Sequence, residues 1–230
     1  RSTLKPFQCT ASIAKETHKK YNLNDKEIAV TCASHHGEQR HIKAVLSILN
    51  KINLTESDLD CGFHFPLDKD SKSKLHSNRL KKSNIYNNCS GKHAGILALI
   101  KNLKLTTKNY IDHAHPIHNY INNYIEQIAK VKSSHFAIDG CSLPTPYYKL
   151  SILADLYMSL ISSSEGTELY KVFKAMTAFP EMVSGRLGFD TFFMNTFKNI
   201  AVSKGGAEGM QALAVHTRKY GRISLALKVA

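Results

Sequence analysis

The chain begins with Arg1-Ser2-Thr3-Leu4-Lys5-Pro6-Phe7, in which a serine and a lysine stand three residues apart. On a helix, Ser2 and Lys5 would share one face, because side chains at positions i and i+3 lie one above the other. A neutral lysine there could take the serine's proton and so activate the hydroxyl without a histidine. Because a free lysine titrates near ~10.4, burial or a nearby cation would have to lower its pKa. Alone, the spacing is also typical of a capping serine beside a solvated lysine.

Three other segments are polar, contain glycine and adjoin short apolar runs. They are Ala33-Ser34-His35-His36-Gly37-Glu38, Asn88-Cys89-Ser90-Gly91-Lys92-His93-Ala94-Gly95 and Ser203-Lys204-Gly205-Gly206-Ala207-Glu208-Gly209. An early Ser-x-x-Lys, a serine-containing turn in the middle and a late Lys-x-Gly follow the order of serine acyl-transfer enzymes of the penicillin-recognising type. Glycine at the late element lets a substrate lie close to the strand backbone. Together the four segments predict a functional site.

The composition is that of a folded chain, since 43% of the 230 residues are hydrophobic and 21% are charged. We therefore expect a packed core in a single catalytic domain that spans residues 1–230. No run approaches the roughly 18 apolar residues of a membrane helix, so we expect a cytoplasmic protein without membrane association. The chain starts at Arg1 without a signal-like segment, and we interpret it as a domain trimmed at both ends. We expect such a piece to be less active than its full-length parent.

The formal net charge is +13, which raises the hypothesis of nucleic-acid binding. The basic residues are scattered, however, with local concentrations only at 15–20 and 69–82. No zinc-finger spacing, recognition helix or basic strand interleaved with aromatic residues accompanies them. The pattern favours a solvated basic surface, and a nucleic-acid partner is not expected.

The five cysteines are odd in number, widely spaced and without a Cys-x-x-Cys pair. This usage favours a reducing compartment over a disulfide framework. Cys9, Cys32 and Cys61 are predicted to be small buried core residues. Cys89 and Cys141 differ from these, because each lies in a polar turn that contains glycine.

The hydrophobic pattern changes along the chain from a helical period to strict alternation. Predicted helices cover 7–18, 38–52, 90–105, 116–131, 148–162 and 167–178, and predicted strands cover 136–138, 199–203, 210–216 and 223–229. Residues 65–88 are predicted to form a long surface loop with a helical turn or two. A helical middle followed by antiparallel strands indicates the α+β class, with a helical cluster packed on an antiparallel sheet.

With these motifs, the chain resembles the rhizobial-type L-asparaginases, the asparaginase II-like family, along nearly its whole length. The segment Cys89-Ser90-Gly91-Lys92-His93-Ala94-Gly95 is the most specific part of the resemblance, and Asp139-Gly140-Cys141 adds a further match. The resemblance implies a fold like that of the serine β-lactamases and penicillin-binding proteins. It also implies hydrolysis of L-asparagine to L-aspartate and ammonia, two Ser-Lys pairs and a zinc ion. A homodimer is expected as well.

Carried over residue by residue, the resemblance implies that Ser2 is the nucleophile and Lys5 its base. Ser34 and Lys204 would form the second pair. The remaining implied roles are substrate binding by Arg1, His93 and Asp139, and zinc binding by Cys89, Lys92 and Cys141. Thiolates suit Zn²⁺, and a lysine can serve as a ligand once the metal has displaced its proton.

Two positions depart from the pattern of the family. Gly205 follows Lys204 where relatives usually carry threonine, so a hydroxyl that could bind the substrate carboxylate is lost. Gly188 stands where relatives tend to carry arginine. Either change could alter turnover or specificity.

Several alternatives remain open at the level of the sequence. The protein could be another serine acyl hydrolase of the penicillin-recognising fold that acts on peptides or β-lactams, or a catalytically decayed basic binding protein. His35 could act as a base for Ser34. His113, His115 and His118 have ligand-like spacing, but Pro116 breaks the geometry and favours surface residues at a helix entry.

Overall fold

The computed structural model describes residues 2–77 and 82–229. The α-helices within these ranges are α1 (Lys5–Ala14), α2 (Thr17–Lys20), α3 (Asp25–Thr31), α4 (Gln39–Lys51), α5 (Lys69–Ser77), α6 (Ser90–Asn102), α7 (Pro116–Ala129), α8 (Leu150–Ile161), α9 (Glu168–Ala178), α10 (Pro180–Val183) and α11 (Phe189–Thr196). Short 3-10 helices cover Ser2–Leu4, Glu56–Asp58 and Asn84–Tyr86. The strands are β1 (Phe136–Ile138), β2 (Pro144–Pro146), β3 (Ala201–Gly206), β4 (Met210–Thr217) and β5 (Gly221–Lys228).

The three C-terminal strands form one antiparallel sheet in the order β3-β4-β5. Its register pairs Lys204 with Ala212 and Leu213 with Leu225. Helix α8 packs against β4 and β5, and Ala212 and Ala214 of β4 are fully buried. The predicted α+β class, with helices packed on an antiparallel sheet, is confirmed. No helix in the described part of the chain is long and apolar enough to cross a membrane.

Helix α6 lies at the centre of the helical layer and is buried from Ser90 to Ile100. Two glycines allow its close approach to α3. A Cβ at Gly91 would lie 2.1 Å from the carbonyl oxygen of Val30, and one at Gly95 would lie 2.8 Å from the side chain of Thr31. The two glycines thus bring the N-terminus of α6 next to the end of α3.

The first residues of the chain are held in place by contacts with α8 and β3. The hydroxyl of Tyr157 in α8 donates a hydrogen bond of 2.8 Å to the backbone carbonyl of Thr3. The Tyr157 ring also meets Phe7 edge to face, with 5.5 Å between the ring centroids. A Cβ at Gly206 would lie 3.3 Å from the side chain of Thr3, so the 3-10 helix at Ser2–Leu4 packs directly against β3.

Some helices differ from those that the sequence predicts. The predicted helix 7–18 is interrupted at Glu16, whose φ of 53° is left-handed, so α1 and α2 are separate. Helices α3 and α11 were not predicted. They have only seven and eight residues, which is too short for the hydrophobic repeat of a helix to be recognised in the sequence. The predicted loop 65–88 contains the nine-residue helix α5, and residues 78–81 of that loop lie outside the described residues.

The prediction that the histidines near Pro116 are surface residues is wrong for two of them. His115 and His118 are 6% and 5% exposed. Their Nε2 atoms lie 3.0 Å and 2.8 Å from the backbone carbonyls of Thr106 and Tyr110. These bonds tie the preceding loop to the start of α7, because a buried ring nitrogen needs a partner. The location at a helix entry is confirmed.

Candidate active site

Ser34 lies between two lysines from distant parts of the chain. It follows α3, and its backbone N–H donates to the carbonyl of Val183 at 3.0 Å. Lys5 Nζ, from the start of α1, lies 2.9 Å from Ser34 Oγ. Lys204 Nζ, from β3, also lies 2.9 Å from Ser34 Oγ. Both lysines are at most 1% exposed, so the serine hydroxyl is enclosed by two buried amines.

Ser2 lines the same pocket as Ser34, but its hydroxyl is not a partner of Lys5. The amine of Lys5 donates instead to the carbonyl of Ala33, to Ser34 Oγ and to Cys89 Sγ at 3.2 Å. Within the described residues, the structure therefore brings Lys5 to Ser34 and leaves the Ser2 hydroxyl beside them without a hydrogen bond. This differs from the Ser2–Lys5 pairing that the spacing suggests.

The electrostatic environment favours a neutral Lys204. Burial lowers its pKa to about 8, and the nearby charge of Lys5 acts in the same direction. Asp190 opposes this effect, because a carboxylate stabilises the ammonium form. A lysine with a pKa near 8 has an appreciable neutral fraction near neutral pH, as a general base requires.

Cys89 and Cys141 line the pocket, and Lys92 contacts Cys141 without lining the pocket itself. All three are at most 5% exposed. Lys92 Nζ lies 2.9 Å from Cys141 Sγ and 3.6 Å from Asp139 Oδ2. A hydrogen bond with Cys141 lowers the pKa of the Cys89 thiol well below its usual range, while the same bond raises the pKa of Cys141.

This cluster fits the chemistry of a zinc site. Burial disfavours the charged form of Lys92, but the two sulfurs and Asp139 outweigh it and raise the pKa. A metal would displace the protons of the two thiols and of the amine, because its ligands bind in their deprotonated forms. Two thiolate sulfurs together with one nitrogen form a ligand set that suits Zn²⁺. In the described parts of the chain, no group of three or more His, Cys, Asp or Glu side chains has the geometry of a metal site, so the fit depends on Lys92 as a ligand.

The three residues expected to bind substrate have different positions. Asp139 lines the pocket, and although burial opposes its ionisation, Lys92 and Lys5 hold its pKa below the ordinary value. His93 is fully buried and does not line the pocket; its Nδ1 lies 2.7 Å from the hydroxyl of Tyr110. Arg1 lies outside the described residues.

The alternative base His35 is engaged elsewhere. Its Nε2 lies 2.9 Å from Ser90 Oγ, and its Nδ1 accepts from the backbone N–H of Gly37 at 3.1 Å. Because Ser90 Oγ itself donates to the carbonyl of Ile85, it accepts the proton on Nε2. Both ring nitrogens of His35 are therefore occupied by partners other than Ser34.

The pocket above these groups has a volume of about 660 Å³. It lies where β3, the end of α3 and the N-terminus of α6 meet. Gly205 and Gly188, the two departures from the family, both line it. A Cβ at Gly188 would lie 2.2 Å from Ser184 Oγ, so Ser184 fills the space that a side chain would need. Sequence reasoning missed Asp190 and Gln211, which also line the pocket.

A serine hydroxyl between two buried lysines, at the wall of an open pocket, is typical of hydrolases that form an acyl-serine intermediate. The chain matches the family model described as L-asparaginase II over residues 1–230, and it belongs to that family. Membership indicates asparaginase-type amide hydrolysis of a small-molecule substrate. Comparison with the curated proteins gave no match.

Proposed function

We propose that the protein hydrolyses L-asparagine to L-aspartate and ammonia through an acyl-serine intermediate. The observation that carries this proposal is the contact of both Lys5 and Lys204 with Ser34, in the wall of the pocket that Ser2 also lines. A hydroxyl between two amines, one of them with a pKa of about 8, has a base within reach near neutral pH. Membership of the L-asparaginase II family supports the choice of substrate.

Ser2 is the proposed nucleophile, and Lys5, Ser34 and Lys204 form its proton-transfer chain. Ser2 Oγ attacks the carbon of the substrate carboxamide while its proton passes to a lysine. The C–N bond then breaks, and the departing ammonia takes up this proton. Water hydrolyses the resulting aspartyl ester and releases L-aspartate. Catalytic hydrogen bonds often form only with substrate bound, so the absence of a Ser2 hydroxyl partner among the described residues is compatible with this role.

A second assignment makes Ser34 the nucleophile. The observation in its favour is that Lys204, the lysine whose pKa is lowered to about 8, already contacts its hydroxyl. In this arrangement the Ser2 hydroxyl would bind the substrate. The two assignments predict different sites for the acyl group.

Recognition of the amino acid is proposed to depend on Asp139 and Arg1. An ionised Asp139 at the pocket wall would bind the substrate ammonium group, and Arg1 would bind its carboxylate. His93 is buried away from the pocket and bonded to Tyr110, so we do not expect it to touch the substrate. Oxyanion stabilisation would come from backbone N–H groups that face the pocket.

Zinc is the proposed metal, held by Cys89, Lys92 and Cys141. When bound, it supplies a positive charge that lowers the pKa of neighbouring groups. The residues around it have their own roles: Asp139 forms an ion pair with Lys92, and Cys89 accepts a hydrogen bond from Lys5. The contact between Cys89 and Lys5 thus links the metal cluster to the Ser-Lys site.

The proposal includes a fold like that of the serine β-lactamases. Helices packed on an antiparallel sheet, with Lys204 on the edge strand next to the serines, support it. The homodimer and the cytoplasmic location stay predictions.

The test is ammonia release from L-asparagine by the wild type and by Ser2→Ala. Loss of a nucleophile should lower kcat by roughly a thousandfold or more. Ser12→Ala, on α1 and away from the pocket, is the matched control and should keep its rate. Retained activity in Ser2→Ala would exclude Ser2 as the nucleophile.

Two other outcomes would point to the rival functions. Covalent labelling of the wild type by a fluorescent penicillin, without ammonia release, would indicate another acyl hydrolase of the penicillin-recognising fold. Salt-sensitive retention on RNA or DNA, again without amidase activity, would indicate a basic binding protein.

A further inference from the structure

Asp190 has no role in the proposed mechanism, yet it is buried beside the lysine of β3. It lies in the first turn of α11 and is 4% exposed. Its Oδ1 accepts from Ser203 Oγ at 2.7 Å and from Gln211 Nε2 at 2.9 Å. Its Oδ2 accepts from the backbone N–H of Gly205 at 2.9 Å and lies 3.8 Å from Lys204 Nζ. One carboxylate therefore holds the three consecutive residues of β3 that carry the lysine.

These contacts lie at the free edge of the sheet. In the described part of the chain, β3 pairs with one strand, β4. The backbone N–H groups of β3 that point away from β4 therefore need hydrogen-bond partners outside the sheet. Asp190 provides the partner for Gly205, next to the lysine. The position of the Lys204 side chain therefore depends on α11 as well as on the sheet.

The charged and titratable groups around Lys204 come from several elements. They are Asp190 of α11, Lys5 of α1, Cys32 after α3, Cys89 before α6, and His36 in the loop after α3. Burial and Lys5 favour the neutral amine, whereas Asp190 and the two sulfurs favour the ammonium form. Asp190 is the carboxylate in this set.

We propose that Asp190 is a positioning residue for the reaction, which fixes Lys204 on Ser34 and sets the fraction of this lysine that is neutral. The inference rests on the proposed function and adds to it. The carboxylate acts through Lys204 and does not touch the substrate carbon. The negative charge of Asp190 affects the pH at which Lys204 becomes neutral and can act as a base. A residue with a purely structural role would not have this effect.

The test is the pH dependence of kcat/KM for L-asparagine in Asp190→Asn. The substitution keeps the size of the side chain and removes its charge. We expect the acid limb to move to lower pH by about one unit, because the group that favours the ammonium form is gone. We also expect kcat on the plateau to fall roughly tenfold, because an amide cannot accept from all of the donors that the carboxylate binds. Asp190→Glu should restore the midpoint.

Asp68→Asn is the matched control. Asp68 is a buried carboxylate near another wall of the pocket, where it accepts from Ser71 and faces Arg186. Its removal should leave the midpoint where it is. A loss of rate in Asp190→Asn with an unchanged midpoint would mean a structural role only and would overturn the inference.

A second measurement does not need activity. The ¹³Cε signal of Lys204, assigned by its disappearance in Lys204→Met, can be followed by NMR through a pH titration. The inference predicts a lower titration midpoint in Asp190→Asn than in the wild type, and equal midpoints would overturn it. A wild type that releases no ammonia from asparagine would refute the proposed function, and this titration would still decide the effect of Asp190.

Discussion

Ser34 Oγ and Lys204 Nζ lie 2.9 Å apart, although 170 positions separate the two residues in the chain. The contact joins the end of α3 to the edge strand β3. It pairs a hydroxyl with an amine whose pKa burial has lowered to about 8.

The activity should rise with pH in the range where Lys204 loses its proton. Because the folded-state pKa is about 8, the lysine is mostly protonated at pH 7 and mostly neutral at pH 9. We expect kcat/KM for L-asparagine to increase with a midpoint near 8, since only the neutral amine accepts a proton. Lys204→Arg stays charged and should lose roughly a hundredfold or more of the rate, without this rise. A profile that is flat from pH 7 to 9 in the wild type would contradict the role of Lys204.

The same lysine should make the stability of the fold depend on pH. Its pKa is about 8 when folded and near 10.5 when unfolded, so the unfolded chain binds more protons between these values. The free energy of unfolding should therefore rise with pH in this window, by about 1–2 kcal/mol from pH 8 to 9.5. Lys204→Met lacks the titrating amine and serves as the reference. Denaturant unfolding of both proteins at the two pH values measures the difference, and parallel changes would speak against a lowered pKa.

The zinc proposal predicts a specific loss of metal. Cys89→Ser and Cys141→Ser should each lower the zinc content of protein purified after loading, measured by mass spectrometry of the element, from about one ion per chain to near zero. Cys61→Ser is the control, because this buried thiol contacts the carbonyl of Asn84 instead. Equal zinc content in Cys89→Ser and the wild type would rule out the proposed ligand set.

Gly205 offers a test of substrate recognition at the edge of the pocket. A Cβ there would lie 3.1 Å from Gln211 Oε1, the end of a flexible side chain that can shift slightly. Gly205→Thr adds a hydroxyl at the pocket wall, and Gly205→Val has the same shape without it. We expect the KM for L-asparagine to be severalfold lower in the threonine variant than in the valine variant, because the hydroxyl can bind the substrate carboxylate. Indistinguishable KM values would mean that this hydroxyl has no part in binding.

The sequence predicted the broad arrangement of helices and strands well. This arrangement depends on hydrophobic periodicity and short motifs, which can be recognised within each segment of the sequence. The change from helical to alternating periodicity predicted helices packed on an antiparallel sheet. The motifs around Ser34, Cys89 and Lys204 predicted which segments carry polar groups of the site. Glycines such as Gly91 have a physical role in this, since they allow α6 to approach α3 closely enough to bring these segments together.

The details that the sequence did not predict depend on contacts between distant segments. The Ser-x-x-Lys spacing favoured a pair of Ser2 with Lys5, but the direction of a long side chain is set by its surroundings. Lys5 turns towards Ala33, Ser34 and Cys89, all from other elements. Asp190 belongs to a helix that the sequence did not predict, and only its contacts with the neighbouring strand β3 reveal its role.

The most direct measurement is the location of the acyl group formed during turnover. Protein mixed with L-asparagine would be quenched in acid within milliseconds, digested and analysed by mass spectrometry for a peptide that has gained one aspartyl group. We expect this group on Ser2, with ammonia released in the same step, and no acylated peptide in Ser2→Ala. An aspartyl group on Ser34 would transfer the nucleophile's role to that serine, and ammonia release without any acylated serine would contradict the acyl-serine mechanism.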